Sequence, residues 1–302
     1  MFGFINLNKP VGFTSHDCIA KLRKLLDTRK IGHGGTLDPE ATGVLPIAVG
    51  KATRLLQFLP EPKAYLARIR LGITTTTDDL AGEIVRRVEA IDVSTEEIKN
   101  CLHDFRGEIQ QVPPAYSAIK KNGKKLYELA RQGKEIVIEP RTVTVSRIEL
   151  SNIDRTDGCE LELAIDCGAG TYIRAIARDL GNQLGVGGTL ASLIRTASCG
   201  MDLENSLSFA EIERQLQQQT LTLISPERAL SHLNAVTLTE TDARKWCQGQ
   251  LVDLEQAIAH TSHTLDQNDY LTTHSANGTF LGVSILYERD RILKVKPKIV
   301  CV

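Results

Sequence analysis

The sequence predicts an α+β protein, with a mixed, largely antiparallel central sheet, flanking helices and loops, and a small β-rich C-terminal domain. Three observations predict it. Strand-like and helix-like segments do not alternate in the regular way that a doubly wound parallel sheet requires. Short apolar or alternating runs are bounded by Gly, Pro and polar residues, which marks strands. From roughly residue 229 the chain turns acidic, Thr-rich and strand-like, as in FLGVSILYE (280–288) and ILKVKPKIV (292–300). The 302 residues accommodate a large and a small domain. The boundary is placed so that residues 1–228 form the first domain, with an insertion near 106–140, and residues 229–302 the second.

The elements follow in order. SHDCIAKLRKLL (15–26) opens with Ser15 as a cap, and Ile19, Leu22, Leu25 and Leu26 recur at helical spacing. Gly43 to Val49 is a short apolar run followed by a helical turn, KATRLLQFL. AYLARIRLG alternates and reads as a strand, TTTTDDLAG (74–82) as a polar loop, and EIVRRVE as another strand. STEEIKNCLHDF (94–105) carries a capping box, Ser94 with Glu97, and Ser208 with Glu211 repeats it for a helix through Leu216. LYELARQG ends a short helix at Gly133, and strands follow around 143–150 and 160–166. GTYIRAIARDLGNQLG starts extended and becomes a helix with an apolar stripe of Ile173, Ile176, Ala177 and Leu180. Repeats with periods of 20–50 residues are absent.

Composition excludes several classes. Hydrophobic residues make up 42% and charged residues 24%, as in ordinary folded chains. Apolar runs fall short of the ~20 residues of a membrane span. The N-terminal MFGFINLNKP lacks the basic-then-apolar order of an export signal, so a cytoplasmic location is expected. Seven scattered cysteines without a C-x-x-C pair read as buried or indifferent residues in a reducing compartment, with no structural zinc expected. His260 and His263 form an H-x-x-H without a third ligand of suitable spacing, so no metal site is assigned. The net charge of −1 averages over unlike segments. Residues 1–70 hold 11 Lys/Arg against 5 Asp/Glu, residues 115–147 hold 8 against 3, and residues 200–302 hold 9 against 13. Local positive density of this kind suits a phosphate-rich partner, and it also suits a solvated charged face.

One stretch carries the chemistry: GHGGTLDPEATGVLPIAVGKATR, residues 32–54. Asp38 stands between Leu37 and Pro39, and Pro39 biases it towards an extended or turn backbone. Gly34 and Gly35 permit a tight loop and a close approach by a ligand. Taken alone, the pattern fits either a catalytic carboxylate on a stiff loop or an Asp-Pro surface turn.

The stretch resembles the signature loop of the TruB-type tRNA pseudouridine synthases, and further blocks follow in that family's order. They are FINLNKPVGFTSHD (4–17), KAYLARIRLG (63–72), QVPPAYSAIKKNGKKLYELARQG (111–133), DCGAGTYIRAIARDLG (166–181) and LASLIRTASCG (190–200), and the resemblance extends over about the first two-thirds of the chain. The resemblance implies a pseudouridine synthase fold, a PUA-like C-terminal domain and isomerisation of uridine 55 in the T-loop of tRNA. The reaction breaks the C1′–N1 bond and joins C1′ to C5 without gain or loss of atoms, so no cofactor or metal is expected.

The same resemblance implies roles for individual residues. Asp38 is the catalytic carboxylate, whether it attacks C6 or assists departure from C1′. Arg174 pairs with it and lowers its pKa. Tyr65 stacks on the target base with a hydroxyl able to move a proton. Leu193 supplies an apolar wall, and Lys9 holds the loop or touches phosphate. The target uridine is stacked in its loop and must be flipped out first, with His33 filling the vacated space. Lys120, Lys124 and Tyr116 belong to an insertion that grips the T-arm through phosphates and unstacked bases. Two departures stand out: Ala169 lies between glycines where a polar residue is more frequent, and Thr76 replaces a frequent acid near Asp79, to which no catalytic role is assigned. The expected partner is tRNA alone, with the protein acting as a monomer without membrane or obligatory protein partner. Two other readings remain open, a tRNA-folding module and the related enzymes of guide-RNA particles.

Overall fold

The computed structural model describes residues 1–117, 120–121, 124–125, 137–260, 265–289 and 292–302. Its larger sheet has nine strands. In spatial order the main path runs Gly3–Lys9, Thr42–Val49, Gly188–Ser198, Lys63–Leu71, Cys159–Cys167, Arg141–Asp154 and Gly107–Gln111. Ile31–His33 and Met201–Asp202 pair beside it. Neighbours are antiparallel except Thr42–Val49 and Gly188–Ser198, which run parallel with Gly43 opposite Arg195. This is the mixed, largely antiparallel sheet that the sequence predicts.

The two-residue period of the strands divides their side chains between two cores. Ile5 and Leu7 enter one core and Phe4 the other, and Leu45 and Ile47 likewise part from Val44 and Ala48. The Gly43–Val49 run is apolar throughout because both faces of its strand are covered. The first core is closed by the helices Ser15–Leu25, Thr95–His103 and Ile173–Gln183 through Leu22, Ile98 and Ile176. The second is closed by the 3₁₀ helix Gly50–Phe58 and by Phe280, Val283 and Ile299 from the C-terminal residues.

Those C-terminal residues belong to a six-stranded sheet that lies wholly beyond residue 233. Trp246 on the helix Glu240–Cys247 fills its centre, and the indole N–H donates to Ser284 Oγ at 2.9 Å. Arg54 Nη1 donates to the Val300 carbonyl at 3.0 Å, so the 3₁₀ helix and the C-terminal sheet share a polar tie as well as the second core.

Local signals behave as the residues dictate, with one instructive exception. The capping boxes at Ser94/Glu97 and Ser208/Glu211 are both formed. Ser15, expected as a cap, is not one. Thr14 caps that helix and accepts from the Asp17 N–H, and the Asp17 carboxylate bonds back. Only Thr14 has an acid three residues on, which completes the reciprocal pair. The 74–82 segment is shorter as a loop than expected, because Ile73–Thr75 pairs with Ile84–Arg87. The expected helix ending at Gly133 and the H-x-x-H histidine His263 lie outside the described residues. Among the described residues, no helix is long and apolar enough to cross a membrane.

Gly43 is the tightest point beside the signature loop. Its φ is +99°, and a Cβ there would stand 2.3 Å from the Arg195 carbonyl oxygen. Gly43→Ala is therefore expected to lower stability by roughly 2–5 kcal/mol through combined backbone strain and overpacking. Urea denaturation of the purified variant measures this.

Candidate active site

Asp38 lies on the loop between Ile31–His33 and Thr42–Val49, where the Ala41 N–H donates to its carbonyl at 3.1 Å and closes a turn over Pro39. The carboxylate meets Arg174, from the first turn of the helix Ile173–Gln183, with Nε 3.0 Å from Asp38 Oδ2. Asp38's side chain is 43% exposed and that of Arg174 only 7%, so the acid faces open space with the guanidinium behind it. Arg174's other nitrogens are also engaged. Nη1 donates to the Thr77 carbonyl at 3.0 Å and lies 3.6 Å from Asp79 Oδ2, and Nη2 donates to the Tyr116 carbonyl at 2.9 Å. A lysine would not span these directions.

The helix that carries Arg174 is anchored at its start. The Gln111 carboxamide donates to the Tyr172 carbonyl at 3.1 Å and accepts from the Tyr172 N–H at 2.8 Å. One turn on, Arg178 pairs with Asp78 at 2.9 Å and donates to the Val112 carbonyl at 2.8 Å. Asp78 and Asp79 thus dock the 76–82 loop on two arginines four residues apart. Neither acid was assigned a catalytic role from the sequence. The signal available was an Arg-x-x-x-Arg pattern on one helix face with an Asp-Asp pair elsewhere.

The loop bearing Asp38 is tied from three directions. Ser15 Oγ accepts from the Leu37 N–H at 2.9 Å and donates to the Leu37 carbonyl at 3.2 Å. Lys9 Nζ donates to the carbonyls of Pro10, Phe13 and Pro39 at 2.9, 2.6 and 3.1 Å. Arg195 donates to the carbonyls of Val44, Thr36 and Gly35 at 2.7, 3.3 and 3.1 Å. Lys9 and Arg195 are wholly buried.

This corrects one expectation. Lys9 does not face RNA: burial removes it from phosphate, and its ammonium is spent on loop carbonyls. Of its two expected roles, only holding the loop agrees with the geometry. Arg195, in turn, was not singled out in the sequence. It sits in register with Tyr65 across the sheet, and Leu193 stands two residues away on the same face. Tyr65 is buried within electrostatic reach of Arg195 and Asp38, and burial pushes its phenol up. Leu193 is half-buried against the core that contains Tyr65.

His33 occupies the near end of the loop. Its Nδ1 accepts from the Gly35 N–H at 3.3 Å, and its ring meets His16 edge-on at 5.8 Å between centroids. Burial, and then the neighbouring His16 and Arg195, push its pKa down, which keeps the ring neutral at pH 7. Tyr116 contributes its carbonyl to Arg174, as above. Lys120 and Lys124 lie in a two-strand pairing, Lys120 with Lys125 and Lys121 with Lys124, and their side chains fall outside what is described. Among the described residues, no group of three His, Cys, Asp or Glu side chains has metal-binding geometry.

Burial pushes Asp38's carboxyl up, Arg174 pulls it down, and the Asp79 charge adds to the upward push. The net direction is upward. A half-desolvated carboxylate held against a guanidinium, beside a buried tyrosine, can act as nucleophile or base towards a ligand on its open side.

The sheet order and this loop-borne acid define a class, the pseudouridine synthase fold. A chain in the structure of an H/ACA RNP bound to a substrate RNA containing 2′-deoxyuridine superposes with a TM-score of 0.75 at 25% identity, covering all of this chain and 86% of that one. A chain of the archaeal box H/ACA sRNP Nop10–Cbf5 complex gives 0.73 at 25% identity, over 99% of this chain and 85% of its own. The family model for the TruB family pseudouridylate synthase N-terminal domain matches residues 23–173. The tRNA pseudouridine synthase B of Gloeothece citriformis is 54% identical over 99% of this chain and 97% of its own length. That of Synechocystis is 44% identical over 99% of both chains. The chain belongs to the TruB family of pseudouridylate synthases.

Two predictions follow from the geometry of the loop and the pair. Ser15→Ala leaves both polar atoms of the Leu37 peptide without their partner, and kcat is expected to fall roughly 10- to 100-fold as Asp38 shifts. Steady-state kinetics on the variant measures this. Activity that needs the charged acid is lost as pH falls through the raised pKa of Asp38. Arg174→Gln removes the downward pull, so the acid limb of residual kcat/KM moves to higher pH, which a pH–rate profile reads.

Proposed function

We propose that this chain converts uridine to pseudouridine in tRNA, at T-loop position 55, with Asp38 as the essential residue. The observation that carries the reading is the 3.0 Å Asp38–Arg174 pair on an otherwise immobilised loop. Relatives named tRNA pseudouridine synthase B that align over almost the whole chain support it. The protein is proposed to act as a monomer in the cytoplasm, with tRNA as its partner and its C-terminal sheet as an accessory RNA-facing domain.

The reaction needs the C1′–N1 bond broken, C1′ joined to C5, the C5 proton released and a proton delivered to N1. Attack at C6 and assistance at C1′ both require Asp38 as a carboxylate, which the Arg174 guanidinium favours. Arg174 also fixes the direction of the acid, since its remaining donors are committed to Thr77 and Tyr116. Tyr65 and Leu193 offer a flat apolar surface for an everted uracil, and neutral His33 stands where the loop of the RNA is opened.

Asp38→Asn keeps the size of the side chain and removes its charge. The variant is expected to release no tritium from tRNA carrying C5-labelled uridine while binding tRNA within about threefold of the unaltered protein. Release at the normal rate would remove Asp38 from the mechanism, and nearest-neighbour analysis of the product reports the modified position.

A further inference from the structure

We infer that Lys63 and the bare backbone at Gly35 form a cradle for one RNA phosphodiester beside the target uridine. The inference rests on the RNA-modifying reading above and adds a contact to it. Lys63 opens the strand that carries Tyr65, two residues further on, so both side chains lie on one face about 7 Å apart along the strand. A Cβ at Gly35 would stand 3.7 Å from Lys63 Nζ and 3.6 Å from Arg195 Nη1. Two cations therefore flank Gly35, a loop residue with no side chain to keep a ligand away, whereas Gly34 before it faces Cys199 and Pro46. Gly35 lies between His33 and Asp38, and its φ is +152°.

The two cations differ in what they have left to offer. Arg195 is fully buried, and its Nε, Nη1 and Nη2 all donate to carbonyls. Lys63 is half-buried, and among the described residues no carboxylate comes within ion-pair distance of it. Glu61 is felt only as a distant charge. Burial and the Arg195 charge push its pKa down, the mark of an ammonium short of counter-charge. Such a group gains most from an anion, and Arg195 behind it adds to the positive potential. A nucleotide whose base stacks on Tyr65 carries its phosphate one ribose away, a reach comparable to the strand spacing from Tyr65 to Lys63. Phosphate is therefore the chemistry that fits, rather than the base.

The test uses the full-length protein and a T-arm stem-loop RNA. Lys63→Gln is expected to weaken binding roughly tenfold and to reduce the slope of log affinity against log salt by about one. Lys63→Arg is expected to restore the slope, which a fold defect would not allow. A methylphosphonate placed at either linkage flanking the target uridine should weaken binding to the unaltered protein. The same neutral linkage should cost nothing further in Lys63→Gln. An unchanged salt slope in Lys63→Gln, or full additivity of the two changes, overturns the cradle. Tritium release by the unaltered protein is scored separately, so either result leaves the pseudouridine reading to its own test.

Discussion

The site depends on one constraint: a half-buried carboxylate is held against a buried guanidinium by a loop whose backbone is fastened at several points. Among the described residues Asp38 has one ion-pair partner, Arg174, which sets its direction. The residues on either side of it are fastened through their own backbone atoms, Leu37 to Ser15 and Pro39 to Lys9, and Arg195 secures Gly35 and Thr36. A flexible aspartate at this spot would lose the orientation that covalent or base catalysis needs.

Lys9 and Arg195 carry charge in places without water. An isolated buried ion costs several kcal/mol, and either residue would be a liability if unpaired. Both are satisfied by convergent carbonyl dipoles, three each, rather than by carboxylates. That choice leaves the acids of the site free for other work. Asp38 and Asp79 both pair with Arg174, Asp79 also accepts from Thr77 Oγ1 and the Ala81 N–H, and Asp78 pairs with Arg178. The charge of Arg195 is felt at Lys63, which approaches the same Gly35 backbone.

The sheet supplies the frame that makes this possible. The parallel contact of Thr42–Val49 with Gly188–Ser198 brings Arg195 over the start of the loop, and Gly43 allows the two backbones to approach. The antiparallel contact of Gly188–Ser198 with Lys63–Leu71 places Tyr65 opposite Arg195. The C-terminal sheet packs on the opposite face through Phe280, Val283 and Ile299, away from the core that holds Tyr65.

Much of this was legible in the residues. Capping boxes at Ser94 and Ser208, alternation in Lys63–Leu71 and the Asp38-Pro39 turn are local, since the groups involved lie within a few positions of each other. The Asp38–Arg174 pairing was available only through resemblance, because no spacing rule connects residues so far apart. The sequence by itself determined the mixed sheet, the helices and the acid on its stiff turn. Only the tertiary structure decided that Ser15 bonds Leu37 across 22 residues, that Lys9 reaches Pro39 across 30, and that Arg195 reaches Val44 across 151. The reason is physical: a long charged side chain is buried only where enough polar partners converge on it, and for Lys9 and Arg195 that convergence includes carbonyls far away in sequence, which only the folded chain brings near.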